Sequence, residues 1–186
     1  MPRAGLSPAA VVDAALTIVD EQGPEALTLS AVATRTGVAT PSLYKHVRNL
    51  EELRTLIARR VMEEMTELVG AAVMGRSGPD AVTALMRVWR RYAVDHPARY
   101  AAMPPAPLQH PALEESGRRL MEVVLAVLRG CGLEGEAVLH SARCLRAAVH
   151  GFAALEVAGG FGLPEDLDTT YRLMEQTIID GLLPAN

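Results

Sequence analysis

The stretch that decides the fold is TLSAVATRTGVATPSLYKHV, residues 28–47, in which a glycine separates two short segments. Thr28 can cap a first short helix, and Gly37 can end it. Pro41 suits the first turn of a second helix, because no backbone N–H is needed there. That helix is predicted to run from residue 39 or 40 to near Val47. Two short helices joined by a glycine turn are typical of a helix-turn-helix.

A longer amphipathic segment precedes this stretch and offers it a surface to dock on. Ser7 can cap this first helix and Gly23 can end it, so it is predicted over residues 7–22. Its apolar face consists of Val11, Val12, Ala15, Ile18 and Val19. The three segments predict a helix-turn-helix domain over residues 1–48.

The second short helix has two chemically different sides. With about 100° of rotation per residue, Leu43 and Val47 lie together and are predicted to pack inward. The polar side carries Pro41, Ser42, Lys45 and Arg48, with Tyr44 and His46 on its flanks. A helix in a major groove meets base edges with its outer side and phosphates with its flanks, which fits this order. Taken singly, Tyr44 and His46 are expected to pack at the domain edge, but beside Lys45 they favour DNA contact.

Composition favours an all-α chain whose positive charge is concentrated near this motif. The 186 residues are 49% apolar, and apolar residues rarely alternate with polar ones as strands require. The net charge is −4, yet residues 28–60 hold six basic and two acidic side chains. Charge alone leaves two interpretations open, polyanion binding at one end or an ordinary solvated helix face.

Sequence features also predict a cytoplasmic protein with no membrane partner. No apolar run approaches the ~18 residues of a membrane span, and the N-terminus lacks the apolar core of a signal peptide. The two cysteines, Cys131 and Cys144, are too few for a disulfide framework and fit a reducing compartment.

The helix-turn-helix stretch resembles the N-terminal module of the TetR family of one-component transcriptional regulators. That module reads roughly T-x-x-x-[IVL]-A-x-x-x-G-V-S-x-x-x-[LI]-Y-x-[HY]-F. The matching residues here are Thr28, Val32, Ala33, Gly37, Val38, Leu43, Tyr44 and His46. Ala39 departs from the pattern by replacing a capping serine, so the cap is expected to shift to Thr40. Val47 departs from it by replacing a phenylalanine.

The resemblance implies how the module contacts DNA. The residues implied to contact phosphates are Thr28, Tyr44, His46 and Arg48, and those nearest the bases are Thr40, Pro41, Ser42 and Lys45. Of the latter, only Lys45 has an evident donor for a guanine edge. So few base-reading side chains require two modules on one double-stranded operator, and therefore a homodimer. Since repression is the usual mode of the family, we expect a repressor at a palindromic operator.

The remaining chain, residues 49–186, is predicted to form a larger helical domain for ligand binding and dimerisation. Helices are expected over residues 50–73, from residue 79 or 80 onward, through LEESGRRLMEVVLAVLRGCG, and over residues 135–159 and 166–183. Five prolines between residues 97 and 111 forbid a long helix there, although residues 98–103 could form one turn or two.

The last two predicted helices carry apolar stripes. These stripes consist of Ala142, Leu145, Val149 and Phe152, and of Tyr171, Met174, Ile178 and Leu182. Such a stripe closes onto the protein's own core or pairs with a partner, and the residues alone leave both open. The resemblance favours the second, because these helices usually form a four-helix interface between TetR-like subunits. The block AVHGFAALEVAGGFG also resembles a TetR subgroup with a WHG-like motif, with Val149 in place of tryptophan.

The resemblance further implies a small-molecule pocket among the middle helices. Its candidate lining residues are Met86, Trp89, Tyr92, Met103, Met121, Val124, Leu125 and His150. Flexible methionines and a single tryptophan suit an apolar effector, although each residue also suits an ordinary core. Effector binding would shift the dimer away from the spacing of about 34–36 Å that successive major grooves require.

Catalysis is not expected, and neither a metal nor another cofactor is predicted. His140 and Cys144 stand four apart on one helix face, but a metal site needs further ligands and none lies nearby in sequence. Ser141, His150 and Glu156 lack the nucleophile-elbow motif of a hydrolase. The alternative to a DNA-binding regulator is an α-helical binding or adaptor protein without DNA-regulatory activity.

Overall fold

The computed structural model describes residues 6–183, which form nine α-helices and no β-strand. The helices are α1 (Pro8–Gln22), α2 (Leu29–Thr36), α3 (Thr40–Leu43), α4 (Leu50–Val73), α5 (Gly78–Asp95), α6 (Pro97–Ala101), α7 (Glu114–Arg129), α8 (Gly135–Val157) and α9 (Leu167–Leu182). Short 3-10 turns lie at Pro24–Ala26 and Pro107–Gln109. The all-α prediction is confirmed. Residues 1–5 and 184–186, the ends of the two predicted domains, lie outside the described residues.

The chain divides into two compact units. The first combines Met1–Met62 with Ala98–Gly117, and the second combines Glu63–Pro97 with Arg118–Asn186. The first unit therefore holds α1 to α3 and the first half of α4, whereas the second holds α5, α8 and α9. The predicted functional boundary between residues 48 and 49 stays a prediction.

Side-chain hydrogen bonds set the beginnings of α1 and α2. The Ser7 hydroxyl accepts a hydrogen bond from the N–H of Ala10 at 3.1 Å. The Thr28 hydroxyl accepts one in the same way from the N–H of Ala31 at 3.0 Å. Each hydroxyl satisfies one of the N–H groups that a helix leaves unpaired in its first turn, so both predicted caps are present.

Gly37 provides the turn between α2 and α3. Its φ of 69° lies in the left-handed region, which costs glycine little because it has no Cβ. Beyond it, the N–H of Val38 donates to the carbonyl of Ala33 at 3.0 Å. This bond closes the end of α2 and directs the chain into α3.

α3 is shorter than the sequence pattern predicts. It ends at Leu43 rather than near Val47, and the N–H of His46 donates to the Leu43 carbonyl at 2.8 Å in the turn that follows. Ala39 precedes the helix and offers no side-chain oxygen to cap it, while Thr40 already lies in the first turn. The expected shift of the cap to Thr40 is therefore wrong. After Leu43 the chain continues as a turn in which the N–H of Val47 also donates to the Leu43 carbonyl, at 3.0 Å.

Apolar side chains hold the first unit together around α3. Leu43 and Val47 are buried, as are Val11 and Ala15 of α1 and Val32 of α2. Each fully buried leucine or valine contributes about 1.5–3 kcal/mol relative to an exposed one. The inward side of the second short helix is thus the predicted one.

α5 packs against α8 and α9 in the second unit. Met86 of α5 is fully buried, and its carbonyl accepts a hydrogen bond from the Tyr171 hydroxyl of α9 at 2.7 Å. The Tyr171 ring meets the Phe152 ring of α8 edge-on, with 4.9 Å between their centroids. These contacts join three helices around one aromatic pair.

Five residues predicted to face a partner subunit instead face the chain's own helices. They are Ala142, Leu145, Val149, Phe152 and Tyr171, all buried within the single chain. These five side chains of α8 and α9 therefore belong to the protein's own core, because α5 packs against both helices. The other three, Met174, Ile178 and Leu182, keep part of their surface exposed. An interface through α8 and α9 must draw on their outward sides, where Leu139, Leu155, Val157 and Leu173 are exposed.

Candidate nucleic-acid interface and ligand site

The outward side of α3 and of the turn after it forms a polar surface. Lys45 and Pro41 are exposed opposite the buried Leu43 and Val47, and Tyr44 is 57% exposed. Of the other predicted DNA contacts, Thr28 and Arg48 are exposed, whereas Thr40, Ser42 and His46 are partly exposed. Seven of the eight predicted residues belong to residues 40–48, and the structure leaves each of them at least partly accessible to solvent.

Thr28 stands apart in sequence, at the N-terminus of α2. Its hydroxyl oxygen is occupied as the acceptor for the N–H of Ala31. A hydroxyl still has its own hydrogen to donate, and a phosphate oxygen accepts such a bond. Thr28 can thus cap α2 and contact a phosphate at the same time.

Arg48 is held in place by a carboxylate one turn further along the chain. Its guanidinium lies 3.1 Å from Glu52 Oε1, and its backbone N–H donates to Glu52 Oε2. The Asn49 side chain completes this arrangement by accepting from the N–H of Glu52 at 2.8 Å, which caps α4. The backbone N–H of Arg48, followed by its guanidinium, lowers the pKa of the Glu52 carboxyl. A phosphate has to compete with this carboxylate for Arg48.

Most of the basic side chains near the motif are already paired. Arg35 forms a bidentate ion pair with Glu21, with both N–O distances at 2.7 Å. The remaining pairs are Arg54 with Glu51, Arg60 with Asp13, and Arg59 with the Ala112 carbonyl. Lys45 is the one cation of residues 28–60 that makes no ion pair or hydrogen bond within the described part of the chain. The count of six basic and two acidic side chains in residues 28–60 therefore overstates how many cations are free to bind a polyanion. Two of the acidic partners, Glu21 and Asp13, lie before residue 28 and were not counted.

The predicted pocket residues occupy very different environments. Met86, Tyr92 and Val124 are buried, Trp89, Met103, Met121 and Leu125 are partly exposed, and His150 is exposed. The Tyr92 hydroxyl donates to Glu64 Oε2 at 2.9 Å, so this phenol already has a partner inside the second unit. Met103 belongs to the first unit and the other seven to the second.

A polar cleft of about 460 Å³ opens in the second unit, and none of the predicted pocket residues lines it. Its walls come from α5, α8 and α9 and carry four arginines and four carboxylates beside Val94 and Tyr171. The four arginines are Arg87, Arg90, Arg91 and Arg172. Three of these arginines recur at helical spacing in α5, a signal of a charged helix face. The partners of Arg87 and Arg90 lie far along the chain, so sequence spacing could not identify them.

Arg90 makes the largest number of charged contacts in this cleft, and we call it, with its partners Glu156 and Asp168, the Arg90 hub. It is 15% exposed, donates to both Glu156 oxygens at 2.7 Å, and donates to Asp168 Oδ1 at 2.7 Å. Its guanidinium also lies 4.5 Å from the centre of the Tyr171 ring. The Glu156 carboxylate raises the pKa of Arg90. The hub therefore joins α5 to both α8 and α9.

A second ion pair buries a carboxylate beside this hub. Glu175 of α9 is 3% exposed, and both its oxygens accept from Arg87 of α5 at 2.9 and 2.8 Å. A carboxylate at this depth requires such a partner, because an unpaired buried charge is strongly unfavourable.

Neither a metal site nor a membrane span is apparent in the described chain. Between residues 6 and 183, no three His, Cys, Asp or Glu side chains are grouped so as to hold a metal ion. Within the same limits, none of the helices is both long and apolar enough to cross a bilayer.

Two family profiles match the chain. Residues 11–55 match the bacterial regulatory proteins of the tetR family, and residues 82–178 match the tetracyclin repressor-like C-terminal domain. The chain is also 38% identical over 168 residues to an uncharacterised HTH-type transcriptional regulator of Mycobacterium tuberculosis. That alignment covers 89% of this chain and 76% of the relative.

Solved structures share the fold at lower sequence identity. A protein of unknown function from Rhodococcus superposes with a TM-score of 0.84 at 22% identity, covering 99% of this chain and all of the other. The Streptomyces coelicolor protein ActR, in complex with (S)-DNPA, superposes with a TM-score of 0.71 at 23% identity. That superposition covers 97% of this chain and 98% of ActR.

Proposed function

Because the chain belongs to the TetR family of transcriptional regulators, we propose that it is a repressor released from a palindromic operator by a small effector. DNA-binding regulation itself follows from the family. Family membership also confirms that the chain is not an enzyme, because these regulators are transcription factors without catalytic activity. Family membership therefore favours a DNA-binding regulator over the alternative, an α-helical adaptor protein without DNA-regulatory activity.

The observation that carries this proposal is the orientation of Lys45. This side chain is exposed and unpaired within residues 6–183, while Leu43 and Val47 fix the same segment from below. A lysine held outward by two buried neighbours can reach the O6 and N7 acceptors of a guanine. In the proposal, Lys45 reads the sequence, while Thr28, Tyr44, His46 and Arg48 hold the phosphates. Thr40, Pro41 and Ser42 lie at the bases and add shape and methyl contacts.

We further propose a homodimer formed through the outward sides of α8 and α9. Leu173 is 68% exposed, and Leu139 and Leu155 are close to half exposed. A contiguous exposed apolar patch marks a surface that a partner covers, and these leucines are the candidates for such a patch on α8 and α9. Two modules held in this way would meet successive major grooves, which explains why the operator should be palindromic.

The proposed effector is an apolar molecule that binds within the second unit of a cytoplasmic protein. Trp89, Met121 and Leu125 are only partly buried there, so a ligand can contact them without displacing the fully buried Met86. The complex of ActR with (S)-DNPA supports a small-molecule site in proteins of this fold. Effector binding would favour a dimer whose modules no longer match the groove spacing.

A footprint on the DNA that flanks the protein's own gene tests the whole proposal. The expected result is one symmetric protected region that disappears when a suitable apolar compound is added. The same experiment with Lys45→Ala should show lost preference for the site. A footprint without two-fold symmetry would contradict the dimer, and equal protection of unrelated duplexes would contradict sequence reading.

A further inference from the structure

Most of the charged side chains that line the polar cleft form ion pairs with one another. Arg87 is paired with Glu175, and Arg90 is paired with Glu156 and Asp168. Arg172 donates to the Thr169 hydroxyl at 2.7 Å and lies 3.8 Å from Asp166. Two opposite charges remain, Arg91 and Asp95.

Arg91 and Asp95 make no hydrogen bond or ion pair with any residue between 6 and 183. Both are exposed, both line the cleft, and they lie one helical turn apart on α5. Residues at this spacing are neighbours, but an ion pair is weaker when the cation precedes the carboxylate. The order of this pair therefore does not favour mutual neutralisation.

Asp95 also occupies an unfavourable position in its helix. It is the last residue of α5, where the carbonyl groups at the helix end carry partial negative charge. A carboxylate there is repelled by the helix dipole, and no described side chain compensates it. A cationic group bound beside Asp95 would relieve this repulsion.

From this arrangement we infer that the cleft binds a small zwitterion, with its carboxylate on Arg91 and its ammonium group on Asp95. The body of the ligand would lie over Val94 and the Tyr171 ring, the apolar parts of the lining. The cleft volume of about 460 Å³ is within the range of small-molecule sites. Arg90 is fixed by Glu156 and Asp168, so it forms a rigid wall rather than a competitor for the ligand.

The balance of charge selects a zwitterion over a simple anion or cation. An anion on Arg91 would leave Asp95 without a partner, whereas a cation on Asp95 would leave Arg91 without one. A molecule that carries both charges satisfies both residues. This site is distinct from the apolar pocket of the proposed function, because none of those residues lines it.

Three probes that differ only in charge test this inference on the full-length protein without DNA. They are L-phenylalanine, 3-phenylpropionate, which lacks the ammonium group, and phenethylamine, which lacks the carboxylate. Binding is followed by the 1H–15N shifts of the α5 amides around Val94. We expect L-phenylalanine to bind at least about fivefold tighter than either control, since each charged contact adds to affinity.

Two variants assign the charges to the residues. Arg91→Ala should remove the preference for L-phenylalanine over phenethylamine, and Asp95→Asn should remove its preference over 3-phenylpropionate. Arg129→Ala, at an exposed arginine that ends α7, should change neither ratio. Circular dichroism of each variant checks that it is folded, and neither target makes a described contact whose loss would prevent folding.

Equal affinity for the three probes, or no shift with any of them, would overturn the inference. So would wild-type ratios in both variants. Because no DNA is present, these outcomes are independent of whether the chain represses transcription from a palindromic site.

Discussion

At the scale of single residues, Lys45 and Arg48 have different surroundings and should therefore have different roles. Lys45 is unpaired among the described residues, whereas Arg48 is 85% exposed but bound to Glu52. Lys45→Ala should lower the discrimination between the operator and unrelated duplexes by about 1–3 kcal/mol for each module of the dimer. Arg48→Ala should weaken binding to all duplexes alike. For a dimer, which loses two phosphate contacts, the slope of log K against log salt concentration should become less steep by about two. Titrations of both variants at several salt concentrations, with Arg129→Ala as control, measure this difference.

Glu52 gives the same region a dependence on pH. Its folded-state pKa is lowered, so the ionised carboxylate stabilises the fold above its ordinary pKa. That contribution is lost as the pH falls from the ordinary pKa through the lowered one. Glu52→Gln should therefore destabilise the protein at pH 7, and the difference from the wild type should vanish in acid. Thermal unfolding of both proteins between pH 7 and 3 measures this, and a difference that grows towards acid would contradict the assignment.

Residue-scale features differed in how far the sequence could reveal them. Helical periodicity correctly predicted that Leu43 and Val47 are buried, because a short amphipathic helix can pack on the domain only with its apolar side inward. The pairing of Arg48 with Glu52 was missed, although the Asn49 to Glu52 spacing of a capping box was visible in RNLEEL. The pairing of Arg35 with Glu21 depends on how α1 and α2 pack, which local spacing does not determine.

At the scale of helices, the Arg90 hub determines how α8 and α9 attach to α5. Replacing Arg90 with Met leaves Glu156 without its partner and removes the bond to Asp168. We expect a loss of about 3 kcal/mol in the free energy of unfolding, as for other broken buried ion pairs. Arg172→Ala, at a side chain that is mostly exposed, should cost less than about 0.5 kcal/mol. Urea unfolding of the two variants measures the difference, and equal losses would contradict a special role for the hub.

Helix existence was easier to predict than helix ends and helix partners. α4 has its predicted bounds, and α8 and α9 differ by no more than two residues, because long periodic segments leave little ambiguity. α3 ends at Leu43, four residues earlier than predicted, and Ala39 provides no side-chain cap at its start; the apolar pattern records neither feature. The stripe of α8 was assigned to a partner, yet α5 covers it. A heptad-like apolar stripe has the same sequence pattern whether it packs on a helix of the same chain or on a partner subunit.

At the scale of the whole molecule, the proposed dimer depends on exposed leucines of α8 and α9. Leu173→Glu should dissociate the dimer, because a charge would have to be buried in the apolar interface. Operator affinity should then fall strongly, since a single module has few base contacts. Met74→Glu is a matched control, because Met74 is also highly exposed but lies beyond the end of α4. Sedimentation velocity of both variants gives the mass, and a dimeric Leu173→Glu would exclude this interface.

The brevity of α3 has a consequence for how this protein finds its site. Four helical residues without a side-chain cap are only marginally stable alone, so their order depends on the anchoring of Leu43 and Val47. The reading segment should therefore fluctuate open more often than α1, and its amides should exchange with solvent sooner. Contact with a matching groove should slow this exchange, because each opening would then also have to break the contacts with the DNA.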